Sequence, residues 1–361
     1  MSPHLDAWVR DSVTRTLTDL LAAERTRLGS IAPELGGFVD VLGDFLVGGK
    51  YLRPQCVAIG ALAAGARLDS PDGEAIATLG AAVELVQAAA LMHDDVIDHS
   101  PTRRGRDAVH VAAANDHARA GHAGSSSDFG IATAVVLGDL SLSLSEQVAQ
   151  RVLRGEADRA QFDALRTEVM AGQYLDILNQ AGALASAPSA HEAALTVIRW
   201  KTVPYTFLRP LLLGATHAGA SDALAQALAD LAIPLGTAFQ LRDDLLGVFG
   251  DERATGKSAS GDITEGKRTT LLAYAEAHAD AEGRLALAAA VGHADASPAQ
   301  IEAARQVMIT SGARAHVEAH VRELEAEARA VLETAIDPLA EAEAVGELDA
   351  LISAATGIAD A

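Results

Sequence analysis

Cysteine is nearly absent from this chain, with Cys56 alone among 361 residues, so no internal disulfide can form. Aromatic residues are scarce too, at 4%, while alanine is abundant. That balance suits closely packed helices better than half-buried strands. Basic residues are outnumbered: 28 Lys plus Arg face 49 Asp plus Glu, a formal net charge of -21. Such a chain is not expected to bind nucleic acid or anionic lipid, and an anionic substrate would need local basic patches or metal ions. The first residues, Met1 to Arg10, lack the apolar core of a signal peptide, which makes the cytoplasm the expected compartment. The most apolar stretch, Ala75 to Met92, contains Glu84 and Gln87 and runs directly into His93, Asp94 and Asp95. It therefore reads as a buried helix, and no transmembrane segment is expected.

What is present is helical periodicity. Leu79, Val83, Val86 and Ala90 recur at helical spacing, as do Val169, Gly172, Leu175 and Leu178, and no alternating run marks a strand. Breakers at Gly48-Gly49, Ser70 to Gly73, Ser100-Pro101, Gly121 to Ser127, Ala187-Pro188 and Thr255 to Gly261 separate the segments by short connections. The fold class expected is all-α, a single helical-bundle domain over residues 1–361. Within it, Gly121 to Asp128 is the expected mobile loop. The segment beyond Ala273, with Glu323, Glu325 and Glu327 near Arg322 and Arg329, reads as solvated helix faces.

Chemistry concentrates in two acidic clusters. The first is His93-Asp94-Asp95-Val96-Ile97-Asp98, where helical spacing allows Asp94, Asp95 and Asp98 to converge on one patch. Uncompensated carboxylates weaken a helix C-terminus, and a divalent cation would relieve both repulsion and dipole. Oxygen ligands favour a hard ion, and Mg²⁺ takes few carboxylates and completes its shell with water and phosphate. The alternatives at this point are a solvated acidic helix end or a calcium loop, although the glycine and glutamate spacing of such loops is missing. The second cluster is Phe239-Gln240-Leu241-Arg242-Asp243-Asp244-Leu245-Leu246-Gly247. Basic groups accompany both: Lys50 and Arg53 in Gly48-Gly49-Lys50-Tyr51-Leu52-Arg53-Pro54, Arg103-Arg104 after the first, and Lys257, Lys267 and Arg268 after the second. Each alone is an ordinary solvated charge or part of an anion site.

Taken in order from Gly48 to Arg268, these motifs resemble those of the trans-isoprenyl diphosphate synthases, the polyprenyl synthetase family of geranylgeranyl and farnesyl diphosphate synthases. Lys50 and Arg53 match the family's GGKxxRP motif, Asp94, Asp95 and Asp98 the first aspartate-rich motif, and Arg103 and Arg104 the arginine pair behind it. Gln173 and Asp176 fit GQxxD, Lys201 and Thr202 the KT motif, Gln240, Asp243 and Asp244 the FQxxDD motif, and Lys257 and Lys267 the closing lysines. In two places the sequence departs from the pattern. Gly247 stands where the fullest second motif has a third aspartate, and Gln87 where many relatives have a histidine near isopentenyl diphosphate.

The resemblance implies a cytoplasmic all-α homodimer with a deep central cavity and a trans-prenyltransferase activity. Mg²⁺ on Asp94, Asp95, Asp98 and Asp243, with Asp244 in the same motif, would bridge the allylic diphosphate. Arg103, Lys201, Lys257 and Lys267 would neutralise it, with Thr202 and Gln240 beside them. Lys50, Arg53, Gln87 and Arg104 would hold isopentenyl diphosphate. His93 is expected to be a structural hydrogen-bonding residue, and Asp251 is not assigned as a ligand. Product length would be set by Val86, Ala89 and Ala90, each helical turn before Asp94 lying ~5.4 Å deeper. Ala89 and Ala90 leave room for a chain beyond fifteen carbons, with geranylgeranyl diphosphate the expected main product and farnesyl diphosphate or a longer chain the runners-up; the alternative is that this helix is simply alanine-rich throughout. The competing readings are a class I terpene cyclase, which needs no second diphosphate pocket, a non-catalytic partner subunit, and a helical metal-binding scaffold.

Overall fold

The computed structural model describes residues 2–250 and 261–357. Helices dominate, as composition and periodicity require, and they form two compact units, each assembled from separate stretches of chain.

The first unit comprises Met1–Arg166, Arg209–Leu228 and Ile336–Leu348. It contains α1 (Pro3–Gly29), α2 (Glu34–Leu46), α3 (Leu52–Ala63) and α4 (Pro71–Ile97). A two-stranded hairpin follows, β1 (Thr102–Arg103) antiparallel to β2 (Arg106–Asp107), and then α5 (Val109–Ala120) and α6 (Ser126–Ala149). Helix α4 is the axis of this unit. It starts at Pro71 with the Ser70 hydroxyl accepting from the Asp72 N–H at 3.2 Å, and Asp72 and Glu74 in its first turn suit the positive helix end. Every residue from Ile76 to Ala89 is buried, so this helix is apolar on all sides because it packs on all sides. Its last turn carries no basic residue.

The second unit comprises Thr167–Leu208, Ala229–Ala335 and Asp349–Ala361. Helix α7 (Glu156–Gln180) enters it at Thr167, and α8 (Ala190–Val197) runs into two π-helical turns, Ile198–Thr202 and Pro204–Leu208. After α9 (Arg209–His217) in the first unit, α10 (Asp222–Phe249) enters the second at Ala229. One helical turn at Gly261–Thr264 is followed by α11 (Thr270–His278), α12 (Ala281–Ala288), α13 (Pro298–Thr310) and α14 (Ala313–Val331), and α15 (Ala342–Thr356) closes the chain. Val203, Leu241, Leu245, Val248, Ile263, Leu271, Met308 and Val317 make up much of its core.

The structure refines several sequence expectations. The stretch expected as a mobile loop, Gly121 to Asp128, consists largely of two helix caps: Gly121 closes α5 in the left-handed region (φ 65°), and Ser125 caps α6, accepting from the Asp128 N–H at 3.2 Å. The Arg103-Arg104 pair lies on a hairpin, too short for an alternating pattern to reveal. Helices α4, α6 and α10 are all long and apolar enough to cross a membrane by length and composition. The most apolar window of α4 is 78% buried within the protein, against 33% for α6.

Candidate active site

In the first unit the acidic cluster sits at the C-terminal end of α4, with Asp98 as its cap residue. The three aspartates do not act alike. Asp95 is 1% exposed, and its Oδ1 accepts from Arg103 Nε at 2.8 Å and from Arg103 Nη2. Arg103 Nη2 also lies 3.8 Å from Asp94 Oδ2. Burial pushes the Asp95 carboxyl above its ordinary range, and the Arg103 guanidinium opposes that shift. Among the described residues no three His, Cys, Asp or Glu side chains lie close enough to hold one metal ion. Asp95 turns inward to its arginine, being one residue and so about 100° of helix from Asp94. Two carboxylates remain at that helix end, a number that fits Mg²⁺, which takes one or two and leaves the rest of its shell to phosphate and water. The buried Oδ2 of Asp95, which has no hydrogen-bond partner among the described residues, is an acceptor already desolvated at the same end.

His93, adjacent to this cluster, makes the structural bond expected of it: its Nε2 lies 3.2 Å from the Val135 carbonyl. Gln87, about two turns before Asp94, is 9% exposed, and its Oε1 has no hydrogen-bond partner among the described residues. Lys50 is exposed and Arg53 partly buried at the start of α3. Arg104 occupies the hairpin turn, its Nη1 donating to the Phe45 carbonyl at 3.2 Å. Three non-glycine residues have left-handed backbones, Tyr51 (φ 52°), His99 (φ 54°) and Arg104 (φ 54°), and all three lie within these motifs or beside them. Strain of this kind persists where the surroundings over-determine a functional geometry. Val86 and Ala89 are wholly enclosed in α4, and Ala90 is partly exposed. A polar hollow lined by Asp72, Arg154 and His217 lies at the opposite end of α4, about 33 Å along the helix from Asp94, and so is separate from this chemistry.

In the second unit the side chains form a relay. Thr202 Oγ1 donates to Gln240 Oε1 at 2.7 Å, and Gln240 Nε2 donates to Asp244 Oδ1 at 2.8 Å. Asp244 is 7% exposed, and burial with Asp262 and Asp243 nearby raises its carboxyl well above the ordinary range. Asp243, one position earlier, is only partly buried. Lys201, on the π-helical turn, pairs with Asp176 of α7 at 2.6 Å. Lys267 pairs with Asp262 at 3.1 Å and Glu265 at 3.2 Å. Lys257 and Asp251 lie outside the described residues.

Sequence reasoning missed Asp262. A Cβ on Gly247 would stand 2.0 Å from Asp262 Oδ2, so the space a third aspartate would take in the second motif is filled by the Asp262 carboxylate. The signal was present as a glycine at an otherwise acidic position. It missed Glu84 as well, a buried acid that reads in sequence only as a blemish in an apolar run.

Comparison with known proteins shows the family. Residues 38–308 match the Polyprenyl synthetase family. An octaprenyl diphosphate synthase of Haemophilus influenzae is 31% identical over 71% of this chain and 69% of its own. A geranylfarnesyl diphosphate synthase of Aeropyrum pernix is 30% identical over 79% of this chain and 83% of its own. Among solved structures, a geranylgeranyl pyrophosphate synthase from Corynebacterium glutamicum, complexed with isoprenyl diphosphate and magnesium, is 37% identical and superposes with a TM-score of 0.90 over 98% of this chain and 99% of that one. By its motifs, its all-α fold and these relatives, the chain belongs to the polyprenyl synthetase family, metal-dependent prenyltransferases that act on isoprenyl diphosphates.

Proposed function

We propose that this enzyme condenses isopentenyl diphosphate with dimethylallyl, geranyl or farnesyl diphosphate in the presence of Mg²⁺, making geranylgeranyl diphosphate as its main product and releasing pyrophosphate. The observation that carries this reading is the retention of two acidic clusters together with the Lys50, Arg53 and Arg104 set. A terpene cyclase would have no use for those three cations. A non-catalytic subunit would have no reason to keep both clusters.

In this reading Asp94, Asp98 and Asp243 would hold Mg²⁺, and the bound ion would supply Lewis-acid stabilisation of diphosphate charge. Asp95 and Asp244 are buried supports of their clusters. Arg103, Lys201, Lys257 and Lys267 face the allylic diphosphate, with Thr202 and Gln240 ordering the second cluster. Lys50, Arg53, Gln87 and Arg104 hold isopentenyl diphosphate. The acceptors already paired with Lys201 and Lys267, Asp176 and Asp262, keep both ammonium groups placed for an incoming anion. The residues act as one polyprenyl synthetase domain in the cytoplasm. The exposed Phe129, Ile131, Val135 and Val136 of α6 support a homodimer that covers this apolar face.

Chain length is assigned to Ala90, Ala89 and Val86. Incubation with radiolabelled isopentenyl diphosphate and each allylic primer, with Mg²⁺ or EDTA, followed by dephosphorylation and sizing of the prenyl alcohols, tests the whole reading. Mg²⁺-dependent elongation to twenty carbons is expected, and Ala90→Phe should shorten the product. No elongation with any primer would favour the partner-subunit alternative, and unchanged length in Ala90→Phe would remove the chain-length assignment.

A further inference from the structure

Glu84 is the one acid in the fully buried stretch of α4, at 4% exposure, three residues before Gln87 and about 2.8 turns before Asp94. A buried carboxylate without compensation costs several kcal/mol, so its surroundings should explain its presence. They do. The backbone of Gly49 passes so close that a Cβ there would stand 2.8 Å from Glu84 Oε1 and 3.6 and 3.7 Å from the two terminal nitrogens of Arg104. The charged groups acting on Glu84 are Arg53 and Arg104, which oppose the upward push of burial on its carboxyl. The Gly49 carbonyl, in turn, accepts from Arg10 Nη1 at 3.1 Å, and Tyr51 Oη lies 3.1 Å from Thr14 Oγ1, so α1 braces the segment from the other side.

From this geometry we infer that Glu84 is a positioning residue for the isopentenyl diphosphate site, a buried anion that orders Arg53 and Arg104 beside the Gly48 to Arg53 segment. A guanidinium held beside a fixed anion is already ordered when a diphosphate arrives, where a free one would first have to be immobilised. Gly49 is part of the same device, because any side chain there would displace the carboxylate. The left-handed backbones at Tyr51 and Arg104 are the strain that this arrangement holds in place. The inference rests on the proposed assignment of Lys50, Arg53 and Arg104 to isopentenyl diphosphate.

The test compares wild type with Glu84→Gln, which keeps shape and removes charge, and with Gly49→Ala, which keeps charge and displaces the carboxylate. Titration calorimetry of isopentenyl diphosphate in EDTA is run beside steady-state kinetics and melting temperature. Both variants should weaken isopentenyl diphosphate about tenfold in Kd and KM, as loss of one charge-assisted contact does, while KM for the allylic primer stays within about twofold. Glu84→Asp should recover part of the loss. Unchanged or tighter isopentenyl diphosphate binding in Glu84→Gln overturns the inference. So does an equal rise in both KM values with a lowered melting temperature, since that marks a structural role alone. If Glu84→Gln does not fold, Gly49→Ala decides by the same criteria. A wild-type protein that elongates no primer would instead remove the functional reading beneath the inference.

Discussion

The two acidic clusters solve the same electrostatic problem differently. At the end of α4 the buried carboxylate, Asp95, has its own cation, Arg103, which also reaches Asp94. In α10 the buried carboxylate, Asp244, receives a hydrogen bond from the neutral amide of Gln240 and has the negative Asp262 and Asp243 as neighbours. The first cluster is partly neutralised by the protein itself. In the second, Lys267 pairs with Asp262 and opposes the upward push that burial and the neighbouring carboxylates exert on Asp244. A family motif written as the same string of aspartates thus covers two distinct local environments.

The largest expected effect probes what the clusters share. Asp94→Asn and Asp243→Asn should each lower kcat by about 10²- to 10³-fold, the range expected when one element of transition-state charge stabilisation is lost. Steady-state rates at saturating Mg²⁺ measure this, and a loss in one variant only would mean that the clusters are not both part of the chemistry.

The next effect separates them. Arg103→Ala strands Asp95 as a buried charge and should destabilise the protein by about 3–5 kcal/mol, whereas Gln240→Ala removes one hydrogen bond to Asp244 and should cost about 1–3 kcal/mol. Urea denaturation gives both values, and equal losses would erase the distinction. Gly247→Asp, which writes a third aspartate into the second motif, should cost about 1–3 kcal/mol and gain no activity, because Asp262 already fills that space.

The sequence exposed some of this directly and concealed the rest for physical reasons. Helix α4 was legible because fourteen consecutive buried positions leave a continuous apolar run, and its abrupt acidic end stands out against that run. The bond from Arg103 to Asp95 was not, because it depends on a hairpin of two-residue strands whose turn, Arg104 and Gly105, is left-handed throughout. Asp262 was hidden because its position is set by a side chain that Gly247 lacks. Glu84 was hidden because one acid in an apolar helix looks the same in sequence whether it faces water or two arginines.

The smallest effect lies away from both clusters, in the second unit. His316 stacks on Tyr274 at 4.2 Å, its ring 6.1 Å from that of His191, and the charged groups acting on it are His191, His278, His320 and Glu323. Partial desolvation against the Tyr274 ring and the neighbouring histidines lower the pKa of this exposed residue below 6.5. The unfolded chain therefore binds a proton that the folded chain refuses. Stability should fall as pH drops below about 6.5 toward the depressed folded value. Melting curves across that window should show a shallower acid slope in His316→Gln, and an identical slope would mean that the histidine cluster contributes nothing.

The central claim is that both clusters serve one metal-diphosphate chemistry, and the thermal shift produced by inorganic pyrophosphate with Mg²⁺ tests it most directly. Wild type should gain several degrees with both together and little with either alone, and Asp94→Asn and Asp243→Asn should each lose most of that gain. A full shift retained in either variant would contradict the account.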